Sequence, residues 1–501
     1  MDTLRSLRNA LKLGASLTVT YGLALAARVV LPRYLGPEAF GSYNWADATA
    51  ATFFVLTTLG LDTYIRKEVS VRREHASEFF GGTLLLQFAM ALVLMGGMLL
   101  VTRRDGHSPE VQWLALLLGG YQFFFRCNAT LAAVLHARER VDGLSIAHVA
   151  TKCLWGVGLA VVLLLRLPLP WLAVPFVATE ALKAGILLQL ARHHAGLRLR
   201  MDARATWLVV VAALPFFLND AAIATNGKLD VMILGLLAST REVGYQGAAW
   251  NIAGMTMLLS PILGWVVMPL LSRAAAQSPE ELSRILRRTL EAIFSFAVPV
   301  TLALALGAET WVRLMYGELF APAAPVLRMQ APIFVLTYLA TVMATGLIAS
   351  NRTWTVTATS VMAMVLNPLL NLLLIPPMLA GLGPAGGAQA TALSLATCEL
   401  LVTGILAFTL GRRAFDGRSA AVLVKTLGVC AAVTGLHVLL GRLALERGVY
   451  TEGLPFGLFR LVVDGSAYVL LVFLTRAVRL DEMLGLVRML RDRRAQKNAH
   501  A

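Results

Sequence analysis

Charged residues are scarce in this sequence. Lys, Arg, Asp and Glu together make up 15% of its 501 residues, whereas roughly a quarter of a typical globular protein is charged. Hydrophobic residues account for 57%, and the mean hydropathy is +0.70. These values exclude an ordinary water-soluble fold, so we expect a chain that is surrounded by lipid.

Motifs for metal, redox and nucleotide chemistry are also missing from the sequence. No CxxC or Cys/His spacing links the four cysteines, which are Cys127, Cys153, Cys398 and Cys430. Neither disulfide bonds nor a metal site is therefore predicted. The absence of a Gly-x-x-x-x-Gly-Lys-Ser/Thr run excludes a P-loop ATPase. We predict no cofactor.

Apolar runs of about twenty residues recur along the whole chain, and this length crosses about 30 Å of hydrocarbon as a helix. Runs such as 84–100 and 157–165 are apolar on every face, unlike the alternating strands of a β-barrel. The sequence predicts an all-α integral membrane protein. It has about fourteen transmembrane helices, placed at residues 12–31, 43–63, 79–101, 112–135, 145–166, 170–191, 206–236, 244–271, 289–311, 325–349, 354–375, 385–410, 421–441 and 456–475.

Lysine and arginine cluster in alternate connections between these spans. Positive charge is retained on the cytoplasmic side during insertion, and about 29 basic residues fall on one side against about 9 on the other. We expect a multi-pass protein of the bacterial inner membrane with both termini in the cytoplasm. The net charge of +15 follows from this asymmetry, so no nucleic-acid partner is predicted. The basic, periodic stretch 476–497 suits either a helix on anionic lipid or a solvated tail.

Two segments resemble each other in sequence and in position. Residues 35–41 (LGPEAFG) precede a span and a loop that ends at Glu78, and residues 238–244 (ASTREVG) precede a span and a loop that ends at Glu281. The spacing from the last glycine to the glutamate is the same in both copies. Transporters often contain such repeats. We predict an N-lobe of helices 1–6 at 1–200, a C-lobe of helices 7–12 at 201–415, helices 13–14 at 416–476 and a basic cytoplasmic tail at 477–501.

Span 7 is longer than the bilayer requires, since about thirty helical residues extend some 45 Å. The helix must therefore tilt or break. Pro215 and the pair Asn226-Gly227 are the candidate breakers.

Ionisable and amide side chains occur inside the predicted spans. A charge at mid-bilayer costs roughly 2.5–3.5 kcal/mol on insertion scales, so each one needs a partner, a wet cavity or a function. Asn44 and Asp47 lie on one face of their helix, as do Asn226 and Asp230. The residues of interest are Arg28, Asn44, Asp47, Arg126, Lys152, Glu180, Lys183, Asp220, Lys228, Asp230, Asn251 and Glu399.

Ion pairing offers a structural interpretation for some of these charges. Glu180 and Lys183 have the i,i+3 spacing of an opposite-charge pair. Lys228 can pair with Asp230 or with Asp220, because a buried charge is stabilised mainly by a partner.

Other embedded polar residues can also be purely structural. Arg28 lies near the outer end of its span and can extend to the membrane interface. Asn44 and Asn251 can join helices by hydrogen bonds. Glu399 has no local partner and can be a buried neutral acid.

Several motifs together resemble the polysaccharide transporter family, which includes the O-antigen flippases, of the multidrug/oligosaccharidyl-lipid/polysaccharide flippase superfamily. They occur in the family's order and cover nearly the whole chain. They are 31–43 (LPRYLGPEAFGSY), 226–235 (NGKLDVMILG), 242–245 (EVGY), 314–317 (LMYG), 367–376 and 383–391 (GPAGGAQAT). The resemblance implies two six-helix lobes around a central cavity, lined largely by spans 1, 2, 7 and 8.

The resemblance also implies transport of an undecaprenyl-pyrophosphate-linked oligosaccharide, such as an O-antigen unit, by alternating access. A pyrophosphate carries about two negative charges and needs cationic groups for its passage. The expected cavity residues that bind substrate are Arg28, Asn44, Asp47, Arg126, Lys152, Lys228, Asp230 and Asn251. Residues that could couple transport to H⁺ or Na⁺ are Asp220, Glu180 and Glu399. Expected partners are the lipid-linked oligosaccharide, membrane lipids and polysaccharide polymerase or glycosyltransferase machinery.

Three other functions remain open at this stage. A multidrug cation antiporter of the same superfamily needs an acidic, aromatic cavity, which the cationic set here disfavours. A peptidoglycan-precursor flippase is also lined by cations and is compatible with the composition. A membrane-embedded O-antigen polymerase or ligase needs a substantial periplasmic loop for its chemistry, and the predicted outward loops are short. We therefore predict a transporter and not an enzyme.

Overall fold

The computed structural model describes the backbone of residues 2–71, 76–137, 142–257, 260–411, 414–447 and 453–475. Within these ranges it describes all side chains except those at 2–19, 66–67, 70–71, 142, 194–195, 215, 218–220, 222–226, 260–266 and 418. The predicted tail at 477–501 lies outside the described residues. The described backbone is overwhelmingly helical and contains no strand, which confirms the all-α fold.

The helices follow one another along the chain with short connections. They are α1 (Asp2–Phe54), α2 (Leu61–Val71), α3 (Ala76–Arg104), α4 (Pro109–Ala137), α5 (Asp142–Leu164), α6 (Val174–Ala195), α7 (Ala203–Leu237), α8 (Thr240–Thr256), α9 (Ser260–Gln277), α10 (Pro279–Leu306), α11 (Ala308–Tyr316), α12 (Ala323–Ala349), α13 (Thr353–Leu382), α14 (Gly386–Leu410), α15 (Gly417–Glu446) and α16 (Leu454–Leu474).

Each predicted span coincides with one of these helices or with a consecutive pair of helical segments. The first span and the start of the second lie in α1, which kinks at Gly36 with φ 73° and ψ 173°, and the second span ends in α2. A positive φ suits glycine, and Pro37 follows it directly. The eighth span is formed by α8 and α9 in succession. Within the described ranges, ten segments are by themselves long and apolar enough to cross a bilayer, and one of these, Thr20–Ile65, covers part of the first predicted span and all of the second.

Of the two alternatives for the seventh span, tilt or a break, the described backbone shows no break. The backbone is assigned as one helix of 35 residues from Ala203 to Leu237. Its extra length therefore has to be accommodated by tilt, which a helix of roughly 50 Å needs in a bilayer. The side chains of Pro215 and Asn226, the candidate breakers, lie outside the described residues.

Contacts divide the chain into two compact units, the first comprising residues 1–247 and 367–388 and the second comprising 248–366 and 389–501. The first unit contains α7, which packs on α1, α2 and α3. Its core lies between α2, α3, α4 and α6 and includes the fully buried Leu61, Ile65, Phe79 and Phe80. The lobe boundaries predicted from the repeat stay a prediction.

The second unit has two apolar cores. One joins α9, α10, α12 and α14 around Phe334 and Tyr338, and the Tyr338 hydroxyl donates a 2.9 Å hydrogen bond to the Thr256 carbonyl. The other joins α10 to α15 and α16 through Val298, Val433 and Val472. The two helices that follow the predicted lobes are thus packed into this unit.

The two copies of the sequence repeat meet within the first unit. A Cβ on Gly41 would lie 2.7 Å from the Thr240 carbonyl carbon, and a Cβ on Gly244 would lie 2.8 Å from the Pro37 carbonyl carbon. Gly41 and Gly244 are equivalent positions of the repeat, and so are Pro37 and Thr240. The contact is therefore reciprocal, and glycine is needed on both sides because the backbones approach so closely.

A carboxylate from the second repeat copy caps a helix of the same unit. Glu242, with 4% of its surface exposed, accepts hydrogen bonds from the backbone amides of Ala385 at 2.6 Å and Ala388 at 2.9 Å. The Ala385 amide lies just before α14 and the Ala388 amide lies in its first turn, where the helix dipole favours negative charge. The sequence motifs 242–245 and 383–391 are thereby joined.

Candidate functional site

Lys228 on α7 forms an ion pair with Asp47 on α1. Lys228 Nζ lies 2.6 Å from Asp47 Oδ2, and 41% of the lysine side chain and 22% of the aspartate side chain are exposed. The described partner of Lys228 is therefore Asp47 and not Asp230, which was one of the two structural alternatives. The lysine remains accessible beside its partner, so it can also meet an anion that approaches from the exposed side.

Asp230 lies two residues further along α7 and has different partners. Its Oδ1 accepts hydrogen bonds from Asn367 Nδ2 at 2.7 Å and from Asn371 Nδ2 at 2.8 Å, both on α13. All three residues are buried, with 3%, 1% and 0% exposed. The trio therefore concentrates a carboxylate and two amide groups at one buried point between α7 and α13.

Glu180 on α6 is held by two neighbours. Lys183 Nζ lies 3.4 Å from the carboxylate, as the i,i+3 spacing predicts. Asn128 Nδ2 on α4 donates to Glu180 Oε2 at 2.7 Å and to the Glu180 backbone carbonyl at 2.9 Å. The geometry fits a structural role for Glu180, because Lys183 neutralises its charge and Asn128 links it to α4.

Lys152 on α5 stands over an aromatic ring. Its Nζ lies 3.8 Å from the centroid of the Trp155 ring, a cation–π distance. Trp155 contacts Phe176 with ring centroids 5.2 Å apart, and Tyr121 contacts the same phenylalanine at 5.4 Å. The Trp155 ring, itself packed against Phe176, thus stabilises this embedded charge, although no carboxylate lies within one turn of it in sequence.

The remaining first-unit candidates are Arg28, Arg126 and Asn44. Both arginines are half-buried and have partners within the protein, and the Arg126 guanidinium lies 5.6 Å from the centroid of the Phe125 ring. Asn44 packs against Gly247, where a Cβ would lie 3.0 Å from the amide carbon. This tight fit agrees with a role in helix packing. A cavity-facing position for Arg126 and Lys152 stays a prediction.

Two candidates lie in the second unit, and one is not described. Asn251 is on α8 and is half-buried. Glu399 on α14 is hydrogen bonded to the Thr337 side chain, so the buried acid does have a neighbour that its local sequence did not reveal. The side chain of Asp220 lies outside the described residues.

Sequence reasoning missed the amides Asn128, Asn367 and Asn371 as members of these clusters. The last two are four residues apart and therefore share one helix face, a signal that was present within the quoted motif 367–376. Asn128 carries no comparable local signal.

A histidine outside the predicted spans contacts α1 close to Asn44 and Asp47 in sequence. His107, in the connection between α3 and α4, stacks on the buried Trp45 with ring centroids 4.0 Å apart. Burial lowers the pKa of His107 below its usual value of 6.5, and nearby Asp105 opposes the shift in part. A neutral imidazole is therefore favoured in the folded protein.

The fold and its embedded charges define a polytopic membrane transporter. The family model described as "Polysaccharide biosynthesis protein" matches residues 6–275, more than half of the chain, and the MatE family model matches residues 215–373. The chain belongs to the polysaccharide biosynthesis protein family, within the multidrug/oligosaccharidyl-lipid/polysaccharide flippase superfamily.

One curated relative is a probable low-salt glycan biosynthesis flippase, Agl15, from Haloferax volcanii. It is 25% identical over 174 residues, which are 34% of this chain and only 36% of that relative. The lipid II flippase MurJ in an inward closed conformation superposes with a TM-score of 0.69 at 12% identity, over 93% of this chain and 99% of that chain. An inward-facing multidrug MATE transporter superposes with a TM-score of 0.62 at 15% identity, over 78% of this chain and 94% of that chain. At these identities the two structures show the shared fold.

Proposed function

We propose that this protein flips a lipid-linked oligosaccharide, carried on undecaprenyl pyrophosphate, from the cytoplasmic to the periplasmic leaflet by alternating access. The product would serve polysaccharide or O-antigen export. Family membership supports the polysaccharide pathway, and the relative named as a glycan biosynthesis flippase supports the type of cargo.

The observation that carries the proposal is the half-exposed ion pair of Lys228 and Asp47. A pyrophosphate presents oxygen acceptors with higher charge than one carboxylate, so it can compete with Asp47 for the lysine. When the cargo leaves, Lys228 would form its ion pair with Asp47 again. Lys152, held on Trp155, and Arg126 supply further positive charge in the same unit.

We further propose that Asp230, Asn367 and Asn371 bind the coupling ion, H⁺ or Na⁺, in place of the sequence candidates Asp220, Glu180 and Glu399. Glu180 is already engaged by Lys183 and Asn128. In the Asp230 trio the amide oxygens of both asparagines are buried without a hydrogen-bond partner among the described residues. These oxygens and the carboxylate match the ligand type that a hard cation prefers.

Export of the glycan in cells that lack the native gene tests the flippase proposal. Wild-type chain should restore export, while Lys228→Gln should lose most of it and Lys228→Arg should keep an appreciable part, at equal protein level in the membrane. Restored peptidoglycan synthesis in cells depleted of their lipid II flippase, or dye extrusion without glycan export, would instead identify one of the two superfamily alternatives.

Thermal unfolding of the purified protein tests the ion site. Sodium chloride, compared with choline chloride at equal ionic strength, should raise the unfolding temperature if Na⁺ binds, and a proton site should show the effect with pH instead. Asp230→Asn should abolish whichever effect is found, while the control Glu399→Gln keeps it. No effect of either ion on the wild type, or the same effect in Asp230→Asn, would reject the site.

We also propose an inner-membrane location with both termini in the cytoplasm. Arg166, between α5 and α6, should then face the periplasm, and Met201, before α7, should face the cytoplasm. After removal of the native thiols, a cysteine at 166 should react with an impermeant reagent in intact cells and a cysteine at 201 only after permeabilisation. The reverse pattern would refute this topology.

A further inference from the structure

A pocket in the second unit lies apart from all of the residues discussed so far. It has a volume of about 380 Å³ and is bounded by the end of α10 and by α11, α12, α15 and α16. This volume is within the range of small-ligand sites, roughly 300–1,000 Å³. Its charged lining consists of Arg313, Arg328, Arg460, His437 and Glu309. Three arginines and one glutamate therefore line the pocket.

The ion pair of Arg328 is weak enough to be exchanged. Arg328 Nη2 lies 3.1 Å from Glu309 Oε1, with 51% and 65% of the two side chains exposed. An exposed pair of this type contributes roughly 0–1 kcal/mol, so a ligand with two or more anionic oxygens can displace Glu309 at small cost. Arg313 Nε lies 3.3 Å from Glu318 Oε1, and 19% of the arginine and 74% of the glutamate side chain are exposed.

Arg460 is fixed from behind, which orients its guanidinium. Its Nη2 donates a 2.7 Å hydrogen bond to the His437 carbonyl, and His437 Nδ1 lies 2.6 Å from the buried Asp464 carboxylate. A planar guanidinium that is held in one orientation is suited to recognition of phosphate.

The rest of the lining is apolar or small. Leu306, Val438 and Leu454 stand beside the arginines, and the neighbouring faces of α16 expose Phe459 and Val462. A free inorganic anion gains nothing from these apolar walls, whereas a phosphate that is attached to acyl chains gains from both parts of the surface.

We propose that this pocket binds the phosphate group of an anionic lipid. Arg328 and Arg460 contact the phosphate oxygens from two sides, Arg313 adds charge, and the apolar walls hold the start of the lipid chains. In the predicted topology the pocket opens toward the outer leaflet, and its ligand is a bound lipid that is distinct from transported cargo at Lys228.

Native mass spectrometry of the full purified chain tests this inference with phosphatidylglycerol as the probe and diacylglycerol, which lacks the phosphate, as the matched lipid. Wild type should bind phosphatidylglycerol and not diacylglycerol. The double variant Arg328→Gln/Arg460→Gln should bind it at least about tenfold more weakly, since loss of two charge-assisted contacts exceeds one factor of ten. The control Arg442→Gln/Arg447→Gln removes the same charge from exposed positions on or just after α15 and should bind normally.

A second variant separates the pocket from the charge and from folding. Thr434→Phe fills the lining from α15 and keeps all three arginines, so it should also lose phosphatidylglycerol while its unfolding temperature stays near that of wild type. Normal binding by both Thr434→Phe and the arginine double variant would overturn the proposal. Inorganic phosphate that binds as tightly as the lipid would overturn the lipid assignment and identify a free anion as the ligand.

Discussion

Removal of Lys228 should show how strongly the ion pair with Asp47 holds α7 to α1. Nζ and Oδ2 are 2.6 Å apart, so Coulomb's law gives about 6 kcal/mol at an effective dielectric constant of about 20 and about 1.6 kcal/mol in bulk water. The side chains are 41% and 22% exposed, so solvent screening reduces the first figure. Desolvation and side-chain ordering reduce it further. We expect a net coupling energy of about 1–2 kcal/mol.

A double-mutant cycle measures this coupling directly. Lys228→Gln and Asp47→Asn should each lower the free energy of unfolding, because each leaves one charge without its partner. The double variant should be more stable than the sum of the single effects predicts, by about 1–2 kcal/mol. Unfolding would be followed in detergent by loss of the helical circular dichroism signal.

A second ion pair of the first unit serves as the matched control. Arg241 Nη2 and Glu38 Oε2 are 3.3 Å apart and 65% and 67% exposed, so the same cycle there should give less than about 0.5 kcal/mol. A coupling for Lys228 and Asp47 no larger than that of the control would refute our treatment of the pair as partly desolvated.

The same double variant also separates the two roles of Lys228. If the lysine only neutralises Asp47, then Asp47→Asn/Lys228→Gln should restore both folding and glycan export. If the lysine binds the headgroup, the double variant should reach the membrane at a normal level and still fail to export. Full export by the double variant would therefore reject the headgroup role.

Three further predictions concern structural features around the candidate site. Gly244→Ala should destabilise the protein by several kcal/mol because its Cβ would overlap backbone, whereas Gly428→Ala, with open space, should be neutral or stabilising by up to about 1 kcal/mol; unfolding temperatures compare them. Glu242→Gln should lower the free energy of unfolding by about 1–3 kcal/mol, since the carboxylate accepts hydrogen bonds from two buried backbone amides. For His107 the folded pKa lies below the unfolded value of 6.5, so the unfolded state binds more protons and stability should fall as the pH drops below about 6.5. His107→Phe should flatten that dependence, and an unchanged slope would contradict the shift.

The membrane architecture could be predicted because hydropathy is a local property. A run of about twenty apolar residues must cross the bilayer as a helix, whatever its neighbours are. The kink at Gly36 was not predicted, although the motif LGP contains the residues that allow it. The sequence left two alternatives for α7, tilt or a break, and its backbone forms one helix from Ala203 to Leu237, which agrees with tilt.

The partners of embedded charges depend on tertiary contacts, and only local pairs could be predicted. The pair of Glu180 and Lys183 could be predicted because residues at i and i+3 share a face of any helix. Lys228 and Asp47 are 181 residues apart in sequence, and Asp230 and Asn367 are 137 apart. Helix packing, which the local sequence does not reveal, decides which of these distant residues pair.

Helix geometry explains why the two charges of α7 could not simply neutralise each other. Residues 228 and 230 are two apart, so their side chains point about 200° apart around the helix axis. Lys228 meets α1 on one side, and Asp230 meets α13 on the other. The cation is left half-exposed and exchangeable, while the acid is enclosed by amides. One helix thereby carries the proposed headgroup-binding lysine and the proposed ion-binding acid on separate faces, so cargo and ion would bind on different sides of α7.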